Sequence, residues 1–178
     1  LIGWGFACAW LCATFWWLFI SMHTYGGLPA PLAVLAVFAL AAFLALYYAA
    51  VCGLFVALRG ERLAGAVLLF AALWLLAELA RGQWWTGFPW GAGGYAHVDG
   101  PLAGLAPWIG VYGIGAVASA GAMWLAGLRG AHAARWPGYA ALVVVGVVVR
   151  LAQRLPQASA AATPNQPVSV ALLQGNIS

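Results

Sequence analysis

Residues 32–58 read LAVLAVFALAAFLALYYAAVCGLFVAL, 27 consecutive positions without one charged side chain. A helix that crosses the ~30 Å hydrocarbon core of a bilayer needs about 20 apolar residues. This run is long enough to span and to tilt. Breakers bound it on both sides: Tyr25-Gly26-Gly27 with Pro29 and Pro31 before it, and the polar turn Arg59-Gly60-Glu61-Arg62 after it.

The rest of the chain has the same character. Hydrophobic residues make up 66% of the 178 positions, charged residues 6%, and the mean hydropathy is +0.97. Soluble domains carry roughly 25% charged residues, so an ordinary water-facing surface cannot be built from this composition. In lipid the backbone must satisfy itself, which leaves helices or closed barrels. The apolar runs are far longer than the ~10-residue alternating strands of a barrel. The fold class expected is therefore an all-α polytopic membrane protein.

Five transmembrane helices are predicted, over about 1–21, 32–58, 63–80, 101–128 and 136–153. Asp99 is the expected N-cap of the fourth, with Pro101 in its first turn and a bend near Pro107. The small residues Gly110, Gly113, Ala116, Ala120 and Gly121 are expected to permit close packing there. The Val-rich middle of the fifth resembles a strand, but its length and context favour a helix. Residues 156–167 have a linker composition. The apolar, β-rich run from Val168, closed by Gly175-Asn176, reads as the first strand (168–178) of a soluble domain. With no initiator Met and no charged segment ahead of the first apolar run, both ends read as cut from a larger protein.

All seven basic residues are arginines, and the acids are Glu61, Glu78 and Asp99. The formal charge of +4 does not imply nucleic acid, because the arginines are scattered singly between apolar runs. They read as topology signals. The turns 59–62 and 129–135 carry two Arg each and share a side by parity, whereas loop 22–31 has none and loop 81–100 only Arg81. Excess Arg marks the cytoplasmic face, which puts both loops and everything after about residue 155 outside, although Arg150 and Arg154 weaken the count.

Chemistry is expected in the loop Arg81-Gly-Gln-Trp84-Trp85-Thr-Gly-Phe88-Pro89-Trp90 and its continuation to Gly100. Trp and Tyr settle at membrane interfaces, so an interfacial belt is the plain reading. The alternative is a lipid-facing arm beside an active site, in which Trp84, Trp85, Phe88 and Trp90 contact substrate. Arg81 sits three residues after Glu78, the spacing of a helix-end ion pair; a guanidinium there is also suited to a phospholipid phosphate. His23 and His97 read as polar anchors near the interface. Cys8, Cys12 and Cys52 lie inside apolar runs and read as small buried hydrophobes, although Cys8 and Cys12 are one turn apart. No metal-ligand spacing, catalytic Ser/His/Asp set or phosphate-binding glycine loop is present, and no cofactor is expected.

Three stretches together resemble a known family. Trp16-Trp17-Leu18-Phe19-Ile20-Ser21-Met22-His23-Thr24-Tyr25-Gly26-Gly27 resembles the third span and following turn of bacterial apolipoprotein N-acyltransferases. Thr86-Gly87-Phe88-Pro89-Trp90, then Gly94-Tyr95, Asp99-Gly100-Pro101-Leu102, Leu105-Ala106-Pro107 and Gly110-Val111, is similar to that family's most distinctive membrane motif. Val170-Ala171-Leu172-Leu173-Gln174-Gly175-Asn176-Ile177 is similar to the opening strand of its nitrilase-like domain.

The resemblance implies eight inner-membrane helices with a periplasmic α/β nitrilase-like domain inserted before the last, so that the five spans correspond to helices three to seven. It implies transfer of an acyl chain from a membrane phospholipid to the α-amine of a diacylglyceryl-modified apolipoprotein, through a thioester on an enzyme cysteine. The family's Glu-Lys-Cys triad has no counterpart here: the chain has no Lys, and its cysteines lie in the first two spans. No catalytic residue is therefore expected within it, and the chain alone is expected to be inactive. Two other readings stay open: a transporter or channel bundle, favoured by broken helices and midplane charges, and a membrane anchor for another nitrilase-type enzyme.

Overall fold

The computed structural model describes residues 1–127, and among these all regular structure is helical. The elements are α1 (Ile2–Thr14), α2 (Trp16–Ile20) running into a π-helical turn (Ser21–Tyr25), α3 (Ala30–Leu58), α4 (Leu63–Gln83) and α5 (Ala106–Gly127), with 3₁₀ turns at Gly93–His97 and Ala103–Leu105. The expected span at 136–153, the linker and the strand from 168 lie outside the described residues. Among the described residues three helices are long and apolar enough to cross a bilayer, or four if the bent pair at the start counts as one span.

α3 organises the bundle. Its buried residues Ala33, Val37, Ala41, Leu44, Ala45, Tyr48, Val51 and Phe55 fall three or four apart, Leu44 and the adjacent Ala45 sharing one turn, and form one stripe along the whole helix. α1 and α4 pack on that stripe, and α5 packs on α4. Lipid offers no hydrophobic drive for helices to associate, so close packing of small residues has to supply it. The alanines at 33, 41, 45, 66 and 77 do so in this core. The opposite face of α3 exposes Leu32, Leu35, Phe38, Phe43, Leu46 and Leu54, which suits a hydrocarbon surround.

Four expectations need correction. The first span is not one straight helix over 1–21: α1 and the segment Trp16–Tyr25 meet at a 51° bend. The break sits at Phe15, next to Thr14, whose hydroxyl donates 2.9 Å back to the Trp10 carbonyl. Such back-bonding competes with the helix ladder and bends it. The third helix continues past Ala80 to Gln83.

The fourth begins as an α-helix only at Ala106, so Asp99 lies in the turns ahead of it and is not its N-cap. Its kink lies at Gly110 (φ 63°, ψ −176°), not at Pro107. Pro107 occupies the first turn, where its missing N–H costs nothing; the backbone angles at residue 110 are open to glycine almost alone.

The lengths of α3 and α4 decide where the loop after α4 lies. At 1.5 Å per residue α3 is about 43 Å long and α4 about 31 Å. α3 is therefore the longer by about 12 Å, and the contacts of Trp84 with Tyr47 and of Trp85 with Phe43 put the end of α4 beside the middle of α3; α2 and the π turn also pack on α3. The loop from Trp84 onward emerges into the step between them.

Candidate functional site: a clamped aromatic loop

The loop folds back on the helix it leaves. The Phe88 N–H donates to the Arg81 carbonyl at 2.8 Å, and Trp84 N–H closes the last turn of α4 onto Ala80 at 2.8 Å. Between them Trp85 (φ 55°), Thr86 (φ 74°) and Gly87 (φ 74°) are three consecutive left-handed residues. Only glycine takes that conformation freely, and a β-branched threonine there is strained. At residue 87 a side chain is excluded altogether, because a Cβ would enter the Gly82 carbonyl.

A buried charge holds this shape. Arg81 and Glu78 lie in the last turns of α4, and neither is exposed to any useful extent, at 0% and 1%. Arg81 Nη1 donates to both the Phe88 and Trp90 carbonyls, each at 2.8 Å. Its Nη2 is 3.6 Å from Glu78 Oε2. The other carboxylate oxygen, Oε1, accepts from the Tyr48 hydroxyl at 2.9 Å and from the Gly93 N–H at 3.2 Å. One ion pair thus ties α3, α4 and both limbs of the loop. A guanidinium is suited to this task because its fork can serve two carbonyls and a carboxylate together.

The rings carried by the loop divide into two pairs. Phe88 turns inward and meets Phe15 edge-on at 5.1 Å, at the break between α1 and α2, while Trp90 lies 5.6 Å from Trp17. Trp84 and Trp85 reach the other way, to Tyr47 (6.3 Å) and Phe43 (6.5 Å) on α3. Trp84, Trp85 and Trp90 stay 63%, 81% and 58% exposed. With the lipid-facing residues of α3 beside them, they continue an apolar surface. Further along, Gly94 passes so close to α5 that a Cβ would meet the Val111 carbonyl.

Of the five residues singled out in the sequence, Arg81 bonds the backbone of Phe88 and Trp90, whereas Trp84 and Trp85 turn away to α3. Arg81 faces the chain's own carbonyls and carboxylate, and its guanidinium is closed off from the surroundings. Glu78 and Arg81 stand at the end of α4 and yet beside the middle of α3, because α3 outruns α4. His23 Nδ1 lies 2.8 Å from the Leu28 carbonyl and so helps close its own turn. His97 lines a cavity of about 220 Å³ with Tyr95 and Gly110. Of the glycines expected to permit close packing in α5, Gly110 and Gly121 have open space around them and Gly113 meets Ile109 of its own helix; the tight approach to α5 is made by Gly94.

Sequence reading missed Tyr48, Phe15 and Gly93. Thr14 signalled the break at Phe15, but nothing local marks Tyr48, 30 residues from its partner. Among the described residues no group of three metal-ligating side chains converges, and the Glu78 carboxylate is engaged by its own neighbours. The arrangement can position apolar chains; it holds no free nucleophile–base pair.

The segment that carries this loop is similar to known proteins. The family model described as the apolipoprotein N-acyltransferase N-terminal domain matches residues 1–124. The chain is 58% identical over 184 residues to an apolipoprotein N-acyltransferase of Verminephrobacter eiseniae, which covers 99% of this chain and 34% of that protein. It is 47% identical over 181 residues to that of Ralstonia nicotianae, covering 99% and 34%, and 37% identical over 180 residues to that of Shewanella oneidensis, covering 99% and 33%. The chain therefore spans about a third of the length of these relatives. The clamped loop falls inside the matched region, and on that match the chain belongs to the apolipoprotein N-acyltransferase N-terminal domain family.

Proposed function

We propose that this chain is the membrane portion of an enzyme that moves an acyl chain from a phospholipid to the α-amine of a diacylglyceryl-cysteine at the start of an apolipoprotein. In this reading five spans lie between residue 1 and about 153, the fifth at 136–153. Residues 156–167 lead to a nitrilase-like domain that begins at 168 on the periplasmic side of the inner membrane. A cysteine thiolate of that domain attacks the donor's ester carbonyl, taking the acyl group as a thioester and releasing a lysophospholipid. The acceptor amine then attacks the thioester, forming the amide and freeing the thiol. A base and an oxyanion-stabilising group assist both steps.

The membrane portion supplies position. Trp84, Trp85, Phe88 and Trp90, held by Arg81, form an arm at the bilayer surface that steers phospholipid acyl chains toward the soluble domain. The carrying observation is a contradiction in burial. A fully enclosed ion pair and three left-handed residues hold a loop whose largest rings are left exposed. Ordering exposed tryptophans contributes little to the fold, and strain of this kind collects at working sites.

Trp85→Ala in the full-length protein tests the reading. Trp85 is 81% exposed, so its removal should leave membrane insertion and thermal stability unchanged while slowing acyl transfer roughly tenfold, the loss of about 1.4 kcal/mol of lipid contact. Arg81→Ala should also slow transfer, with the loop released. Wild-type turnover in both variants would sink the proposal.

A further inference from the structure

Tyr48 is fully buried at mid-length in α3, and a tyrosine hydroxyl so placed needs a partner. Its partner is Glu78, and the consequences run outward from that bond. We infer that Tyr48 is a positioning residue for the aromatic loop, fixing the carboxylate that holds Arg81 and through it the rings that meet the phospholipid donor. This rests on the reading of the loop as a lipid-handling arm.

Glu78 is hydrogen-bonded through one oxygen only. Oε2 has no hydrogen-bond partner, nor have Arg81 Nε and Nη2. The pair attracts across 3.6 Å without a hydrogen bond. The carboxylate is therefore oriented by its other oxygen, which has two donors: the Tyr48 hydroxyl at 2.9 Å and the longer Gly93 amide at 3.2 Å. Gly93 belongs to the loop being held, so Tyr48 is the anchor that is independent of it.

The ring itself is fixed by Trp10, edge-on at 5.4 Å, and Trp74 at 4.9 Å. The hydroxyl is thus aimed by packing that does not depend on Glu78. The tip rings Trp84 and Trp85 rest on Tyr47 and Phe43 of the same helix, so α3 both supports the tip and aims the clamp at its base.

Because Thr86 and Trp85 are strained, the loop relaxes as soon as its restraint weakens. Tyr48→Phe removes one oxygen and keeps the ring between the two tryptophans. In the full-length protein, reconstituted in phosphatidylethanolamine–phosphatidylglycerol nanodiscs, amide hydrogen exchange at residues 85–93 should quicken while α3 and α4 keep their protection. With a short-chain phosphatidylethanolamine as donor, KM should rise roughly tenfold, the loss of one hydrogen bond to a charged group, and kcat should change less than twofold. A kcat loss at unchanged KM would overturn the inference, as would wild-type exchange in the loop. Loss of protection throughout α3 and α4 would make Tyr48 a fold residue only and overturn it too. If the unsubstituted protein transfers no acyl group, the proposed activity fails, and the exchange measurement still decides whether Tyr48 holds the loop.

Discussion

Replacing Arg81 by Gln tests the clamp where it is most heavily committed. The substitution removes two charge-assisted bonds, to the Phe88 and Trp90 carbonyls, each worth about 1.5–3 kcal/mol. It also leaves the Glu78 carboxylate enclosed without its cation, and breaking a buried pair from one side costs about 3–5 kcal/mol. These two figures overlap, because both include the stranded partner, so a total near 4 kcal/mol is expected. Glu78→Gln strands the guanidinium instead, but Arg81 keeps both carbonyls, so about 3 kcal/mol is expected. Changing both residues to Gln removes both charges together, and the double variant should be more stable than the sum of the singles by about 1–3 kcal/mol. Reversible unfolding in mixed micelles, followed by circular dichroism, gives all three values. Additive costs, or single variants within about 0.5 kcal/mol of wild type, would refute the reasoning, since a screened surface pair behaves that way.

Four substitutions probe the surroundings. Gly94→Ala drives a methyl into the Val111 carbonyl and should cost about 1–3 kcal/mol by the same assay, whereas Gly121→Ala, with open space around it, should stay within about 0.5 kcal/mol. Gly110→Ala forces a side chain into φ 63°, ψ −176° and should lower stability by about 1–3 kcal/mol, read as a drop in thermal midpoint. Phe88→Ala empties the contact with Phe15 and should cost about 2–4 kcal/mol, well above the cost of the exposed Trp85→Ala.

Much of this architecture is legible in the sequence, and the limits have physical causes. The run 32–58 and the turn Arg59–Arg62 place α3 within two residues of its observed bounds, because hydropathy and breakers act locally. The first bend carries no proline or glycine signal at Phe15; its local mark is the Thr14 hydroxyl bonded back to the Trp10 carbonyl. The Gly110 kink was displaced to Pro107 because proline is the commoner breaker, although at a helix's first turn it breaks nothing. For the loop, the spacing of Glu78 and Arg81 gave the ion pair. Depth was not legible. It depends on α3 outrunning α4, a relation between two helices, and Tyr48 joins the network only through that relation.

We propose that the clamped aromatic loop on this membrane bundle serves acyl transfer from phospholipid to a lipoprotein amine. The most direct measurement is mass spectrometry of a diacylglyceryl-cysteine peptide incubated with the full-length protein in phospholipid vesicles. A mass gain of one acyl chain on the peptide amine, matched to the vesicle lipid and slowed by Trp85→Ala, is expected. An unmodified peptide, with the protein correctly inserted and folded, would contradict it.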